Sequence, residues 1–336
     1  MNKPGDPPGS TAPGLLILRA LGLGDLLVAV PALRALRRHF SAHFLVLATA
    51  PWLSPIVKMT GIADRHLPVA GLGPATTTAL AEIEPPDVAV NLHGNGQQSR
   101  DAVLASKPSR YLGHAVQGPG SGPAFGRSTQ AEGAPWMEEL HERERWVRML
   151  DWYGIEGDPE DFRLAMPAAH GSAIIPLGAS VLHVGAASGS RLWPVDRFAE
   201  VARELEGHGH RVALTGGKAD QHRARAVARL AGLDDGQILA GRQDLEEFAA
   251  TLANARLLVS GDTGAAHLAS AFATPSAVIF GPAAASRWGP PPSGPHAVLT
   301  DATKRRGDPF ADSPDPALLA VTVEDVLRAL SRLGVA

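Results

Sequence analysis

Short continuous apolar runs alternate with helix-forming stretches along almost the whole chain, and that alternation leaves few folds open. The runs Leu15–Leu18, Phe44–Ala48, His66–Val69, Val88–Leu92 and Tyr111–Gly113 have the length of strands. Leu15–Leu18 and Phe44–Ala48 are apolar on every residue, as suits strands covered on both faces of a parallel sheet. Between them, helical spacing runs from Leu26 to Phe40, then over Trp52–Met59, Ala75–Ile83 and Ser99–Ser106, with a charged amphipathic helix from Met137 to Tyr153. A second series begins after the proline-bearing stretch 158–175. Its strands are Val181–Val184, Val212–Thr215, Gln237–Ala240, Leu257–Val259, Ala277–Phe280 and Ala297–Leu299, and its helices Pro194–Glu206, Lys218–Ala231 and Leu245–Ala255. Strand and helix in strict alternation predict parallel sheets with helices on both faces. The chain therefore reads as α/β, with two Rossmann-like doubly wound domains at residues 15–165 and 166–336 and a cleft between the carboxyl ends of their sheets. A final helix, Val323–Leu333, is expected to pack back on the first domain.

A length of 336 residues suits two domains. Residues 1–14 hold four prolines and three glycines and predict a disordered tail rather than a secretory signal. Residues 115–136, rich in Gly, Pro and Ser, predict a mobile surface loop. No apolar run reaches the ~18 residues that a membrane span needs. Thirty-one Lys and Arg against 34 Asp and Glu leave a net charge of -3, too balanced a surface to recruit nucleic acid. Cysteine is absent, which excludes a disulfide framework, a thiol nucleophile and a thiolate metal site, and fits a cytoplasmic protein. No His, Asp and Glu cluster has metal-ligand spacing, so no metal and no cofactor is expected.

The stretch Arg256–Pro282 is the most informative. A buried strand stops at Ser260-Gly261-Asp262-Thr263-Gly264, and Ala265, Ala266, Leu268, Ala269 and Ala271 then favour a helix. A strand, a Gly-bearing turn and a helix N-terminus present unpaired N–H groups and a partial positive charge, which suits a phosphate. Helix capping by Asp262 or Thr263 is the alternative. The pair Gly22-x-Gly24 invites a dinucleotide reading, but Leu27 stands where the third glycine belongs. Asn91, His93 and Asn95 end a first-domain strand; amides and an imidazole suit sugar hydroxyls, and an ordinary turn accounts for them equally.

Three stretches, LGLGDLLVAVPALRALRRHF (21–40), HVGAASGSRLWPVDRFAEVARELEGHGHRVALTGG (183–217) and SGDTGAAHLASAFATPSAVIFGP (260–282), together resemble the family-9 glycosyltransferases, the bacterial heptosyltransferases. The resemblance implies a glycosyltransferase B-type fold and metal-independent, inverting transfer of heptose from ADP-heptose to an acceptor hydroxyl. Such transfer needs a carboxylate to take the acceptor's proton and positive groups to hold the departing diphosphate. Asp25 matches the family's Gly-Asp position and is the candidate base; plain capping is its alternative role. Ser188 and Arg191 are placed to meet phosphate oxygens, with arginine standing where the family often has lysine. Thr263 and Gly264 complete the cradle, Asp262 reaches a ribose or a diphosphate-linked group, and His267 lies close to the donor or is a buried structural histidine.

The loop Gly216-Gly217-Lys218 falls where the fold holds the nucleoside. Lys218 departs from the carboxylate that many relatives place nearby, and Asp220 is the substitute. Acceptor contacts are assigned to Gly24, Asn91, His93 and Asn95, and Arg34, Arg37 and Arg38 form either a basic rim or a solvated helix face. The expected partners are a nucleotide-sugar donor and a glycan, glycolipid or small-molecule acceptor. A monomer in the cytoplasm, with peripheral association to the inner face of the membrane where the acceptor is a lipid, completes the expectation. Three alternatives remain: another sugar nucleotide with a natural-product acceptor, a nucleotide-sugar epimerase, and a noncatalytic sugar-nucleotide-binding protein.

Overall fold

The structure, a computed structural model, describes residues 12–116, 133–167 and 177–335. Residues 1–11 of the expected tail, most of the expected loop 115–136 and part of the stretch 158–175 lie outside the described residues, and Gly14, placed in the tail, begins the first strand because its backbone pairs in register with Phe44. Contacts divide the chain into two units: residues 1–21, 29–138 and 143–159 in the first, residues 22–28, 139–142 and 160–336 in the second. The division gives Gly22–Val28, which local reading placed in the first domain, to the second unit.

The first unit contains β1 (Gly14–Leu18), most of α1 (Leu23–His39), β2 (Phe44–Thr49), α2 (Ser54–Thr60), β3 (Arg65–Pro68), α3 (Pro74–Ala81), β4 (Val88–Asn91), α4 (Gln97–Leu104), β5 (Arg110–Leu112) and α5 (Glu142–Trp152). Its sheet is parallel throughout with order β3-β2-β1-β4-β5. The chain reverses direction of winding between β1 and β4, so their carboxyl ends leave the crevice where ligands bind in open α/β sheets. Leu15 to Leu18 have no exposure at all, as their apolar composition demands. Pro31 sits inside a single helix α1; its missing N–H removes one rung of the ladder without ending the helix. Helix α5 starts at Glu142 rather than Met137, because the Arg145 guanidinium takes the Met137 and Glu138 carbonyls and holds them in a turn. Trp146, Met149, Leu150 and Tyr153 are buried, so that stripe is packing.

In the second unit the elements are β6 (Ser180–His183), α6 (Val195–Gly207), β7 (Val212–Thr215), α7 (Gln221–Ala231), α8 (Leu245–Ala253), β8 (Leu257–Gly261), α9 (Gly264–Phe272), β9 (Ser276–Ile279), α10 (Ala285–Trp288), β10 (His296–Leu299), α11 (Pro316–Leu319) and α12 (Val323–Arg332). The order is β10-β9-β8-β6-β7, again all parallel, with the switch between β6 and β8. Gln237–Ala240 is not a sixth strand. A single bridge joins Ile238 to Leu214, because a tight turn at Asp235–Gln237, boxed by Asp234 and Gln237, occupies the start of that run. Helix α12 packs on α6, β9 and β10 and shares their core through Val323, Val326 and Leu330. Its apolar stripe is complementary to that sheet face, which α6 covers only in part. Among the described residues no helix is long and apolar enough to cross a membrane.

Candidate active site

Three segments of the second unit interlock through glycines at the β6/β8 switch point. A Cβ on Gly24 would lie 2.7 Å from Cδ2 of His267, one on Gly264 would lie 2.9 Å from Leu23, and one on Gly261 would lie 2.9 Å from the Arg191 carbonyl. Contacts this short leave no room for a side chain unless a neighbour shifts. They bring residues 22–25, 188–191 and 260–267 together, and with them Asp25, Arg191, Asp262, Thr263 and His267.

Asp25 is the third residue of α1, and its Oδ2 accepts the Gly22 N–H at 3.2 Å. This is half of a capping box. The capping role and a chemical role thus coexist at one carboxylate that is only partly buried.

Asp262 follows β8 and is 4% exposed. Its Oδ2 stands 3.9 Å from the Arg191 guanidinium, whose NH1 donates at 3.4 Å to the Asp262 carbonyl. That pairing is too loose to offset the loss of water. Burial therefore pushes the Asp262 carboxyl up to about 6, with Arg191 opposing the shift and the Asp25 charge adding to it.

Thr263 is the residue before α9 and is extended at φ −144, ψ 174, yet its hydroxyl makes no cap bond. Thr263 Oγ1, Ser260 Oγ and Arg191 Nε are all buried and without a partner. Orphaned polar atoms of this kind are rare in folded proteins. Here an arginine, a hydroxyl and the N–H groups that open α9 come together, the donor set that an oxyanion or diphosphate requires.

Several other expected site residues have partners within the protein. Ser188 donates its hydroxyl to the Pro309 carbonyl at 2.6 Å, and Ser190 donates to the same oxygen at 2.9 Å. Both thereby tie the 188–191 turn to a strap, residues 305–315, and Gly189 touches the Asp312 backbone there. At the end of β7, Asp220 accepts the Gly217 N–H at 2.8 Å and fills the space against Gly185 and Gly216. Its carboxylate thus shapes the loop, while Lys218 is exposed.

In the first unit, Asn91 is buried at the end of β4. Its amide bonds Ser99 Oγ at 2.9 Å and the Tyr111 hydroxyl at 3.3 Å, and its carbonyl oxygen accepts from the His93 N–H. Asn91 therefore shapes the turn that carries His93 and Asn95, both half-buried at the β1/β4 switch. Arg37 ties the end of α1 to Asp64 and to the Phe40, Ser41 and His43 carbonyls, which removes it from the expected basic rim.

Two arginines that local reading passed over hold these turns. Arg19, 1% exposed, stacks 4.6 Å over Trp146 and donates to the Leu92 carbonyl beside His93. Arg223 on α7 donates to the carbonyls of Val184 and Trp193, clamping both ends of the segment that contains Arg191. Their only sequence signal is a strand-end or helical arginine, which is common. The partners are 30 to 73 residues away. Among the described residues no group of three His, Asp or Glu is placed to hold a metal ion.

Comparison with known proteins agrees with this architecture. Residues 168–306 match glycosyltransferase family 9 (heptosyltransferase). Lipopolysaccharide heptosyltransferase 2 of Salmonella typhimurium is 30% identical over 153 residues, 43% of this chain and 43% of the relative; the match thus spans less than half of the relative's length. A family-9 glycosyltransferase from Veillonella parvula superposes with a TM-score of 0.74 at 18% identity, covering 96% of this chain and 97% of that one. The E. coli heptosyltransferase WaaC with ADP superposes with a TM-score of 0.70 at 18% identity, covering 95% and 99%. The two parallel five-stranded sheets are those of a glycosyltransferase B-type fold, and within it residues 168–306 are similar to glycosyltransferase family 9 (heptosyltransferase).

Proposed function

We propose that this protein transfers a heptose from ADP-heptose to an acceptor hydroxyl, with inversion at the anomeric carbon and without a metal. The observation that carries the reading is the convergence, at one switch point, of a partly buried carboxylate, Asp25, with the orphaned donors of Arg191 and Thr263 at the start of α9. Asp25 takes the proton of the acceptor hydroxyl as its oxygen attacks the anomeric carbon. The bond from that carbon to the phosphate oxygen breaks on the opposite side. Arg191, the Thr263 hydroxyl and the N–H groups from Gly264 onward receive the negative charge of the leaving diphosphate, the role a divalent cation fills elsewhere. The Gly216–Lys218 loop bounds the nucleoside, and His267, held against Gly24, faces the sugar. The acceptor is a glycan, a glycolipid or a small molecule. The reaction is assigned to the cytoplasm, at the membrane's inner face where the acceptor is a lipid.

A second reading, the same transfer from a different sugar nucleotide, draws support from Asp220. Its carboxylate is taken up by Gly217, and the exposed Lys218 offers a cation where a ribose-binding carboxylate was expected. Mass spectrometry of the purified protein offered ADP-heptose, ADP-glucose and UDP-glucose decides between them by which is retained. With the retained donor and an acceptor, Asp25→Asn is expected to bind donor normally and to lose turnover by roughly a hundredfold or more. Full activity in that variant would remove Asp25 from its assigned role.

A further inference from the structure

A nucleoside diphosphate brings negative charge to a place where the chain already has a carboxylate. Asp262 immediately precedes the Thr263–Gly264 turn that opens α9, and the cation nearest it is Arg191, the same guanidinium that the diphosphate is expected to engage. The charged groups that act on Asp262 are Arg191 from the turn after β6 and Asp25 from the start of α1. His267 lies on α9 itself, seated on Gly24. An anion bound by Arg191 takes away the one favourable charge Asp262 has and adds a repulsive one beside Asp25. A buried carboxylate in that position has two ways out: expel the ligand, or take up a proton.

We propose that Asp262 acts as a neutral acid when a nucleotide sugar is bound, taking up one proton on binding and donating it in a hydrogen bond to an oxygen of the diphosphate. The inference rests on the donor-site reading given under the proposed function and assigns Asp262 a different job from a sugar- or ribose-accepting carboxylate. The free carboxyl is already biased toward the acid form, since burial holds it at about 6 before any ligand arrives. During transfer the proton stays shared between Asp262 and the leaving diphosphate. Asp25 separately accepts the acceptor's proton, so that the two carboxylates work in opposite protonation states.

The test is isothermal titration calorimetry of the whole protein with ADP-glucose and UDP-glucose, in pairs of buffers that differ in ionisation enthalpy. Both ligands are diphosphate diesters with no phosphate proton that titrates near neutrality, so proton uptake belongs to the protein. At pH 7 the wild type is expected to take up most of one proton per ligand bound, and affinity is expected to fall by up to about tenfold per pH unit above pH 7. Asp262→Asn, folded by circular dichroism, is expected to bind with no proton uptake and with affinity flat from pH 6 to 8.5. At pH 8.5 it is expected to bind at least as tightly as the wild type. Asp25→Asn removes the neighbouring charge that favours protonation, and should move the onset of uptake to lower pH; it serves as the test if Asp262→Asn does not fold. Wild-type binding without proton uptake, or a hundredfold loss of affinity in folded Asp262→Asn, overturns the proposal and leaves the donor site standing. If neither diester binds the wild type at any pH, the donor-site reading falls and this inference with it.

Discussion

The glycine at position 24 shows how much a single atom decides here. A methyl group there would stand 2.7 Å from Cδ2 and 3.1 Å from Nε2 of His267, whose ring is edge-on to Trp288 at 6.1 Å between centroids. Gly24→Ala improves helix propensity in the first turn of α1, so propensity alone predicts a gain. The clash predicts a loss of about 1–3 kcal/mol, together with displacement of Asp25 from its position beside Asp262. Thermal unfolding and turnover measured on the same variant check this; a higher melting temperature with intact turnover would sink it. From the sequence, Gly24 and Asp25 were visible as a Gly-Asp pair, and so was the pairing of Arg191 with the turn after β8. The reason for the glycine was not, because its partner lies 243 residues further on, on another helix. Ser188 and Asp220 looked equally like ligand contacts by residue type. Only their neighbours Pro309 and Gly217 reveal that their polar atoms hold loops.

At the scale of elements, the start of α9 distinguishes a helix that is merely capped from one that is left open for a ligand. Thr263 has the extended backbone of a capping residue without the side-chain bond of one. Were it a cap, Thr263→Val would cost about 1 kcal/mol. With an orphaned hydroxyl replaced by a methyl of similar shape, the variant is expected to match or exceed the wild type in denaturant stability. Its nucleotide-sugar affinity is expected to fall roughly tenfold or more, the worth of a hydrogen bond to a charged group. Urea unfolding alongside a binding titration separates the outcomes. The strand, turn and helix of this motif were legible because their periodicities differ and the turn carries glycine. The expected strand Gln237–Ala240 failed because four apolar-edged residues carry no information about whether a neighbour is free to pair. The expected helix start at Met137 failed because Arg145 competes for the carbonyls that would have begun the ladder.

At the scale of the whole molecule, buried histidines make stability depend on acid. His114 is enclosed edge-on by Trp136 and Trp146, with centroids at 4.8 and 5.5 Å, and burial lowers it to about 4; Arg145 adds to the shift, against the Ala134 and Pro135 carbonyl bonds. Desolvation lowers His183 in the second unit to about 4 as well, opposed by Asp220. Both groups bind protons in the unfolded chain between pH 6.5 and 4 that they refuse in the folded one, so stability falls as pH drops through that window. For His114 the loss is about 3 kcal/mol by pH 4. Asp262 runs the other way, because a raised carboxyl gives stability at low pH that is lost as pH rises through about 6. His114 and His183, with His210 also lowered by burial, outweigh the one raised aspartate and leave a net fall, and His114→Gln is expected to flatten the melting temperature between pH 6.5 and 4.5 relative to wild type. An unchanged slope in that variant would count against a neutral buried His114.

The sequence by itself determined the fold class and the strand ends at which a site would form. Apolar runs of strand length in alternation with helices call for parallel sheets covered on both faces, and ligands bind in such sheets beyond the carboxyl ends of the strands. The tertiary structure alone decided which polar groups at that edge are spent on the fold and which are left with nothing to bind. Hydrogen-bond satisfaction is settled by partners that folding brings together from positions distant in the chain: Pro309 for Ser188, Leu92 for Arg19, and none for Thr263.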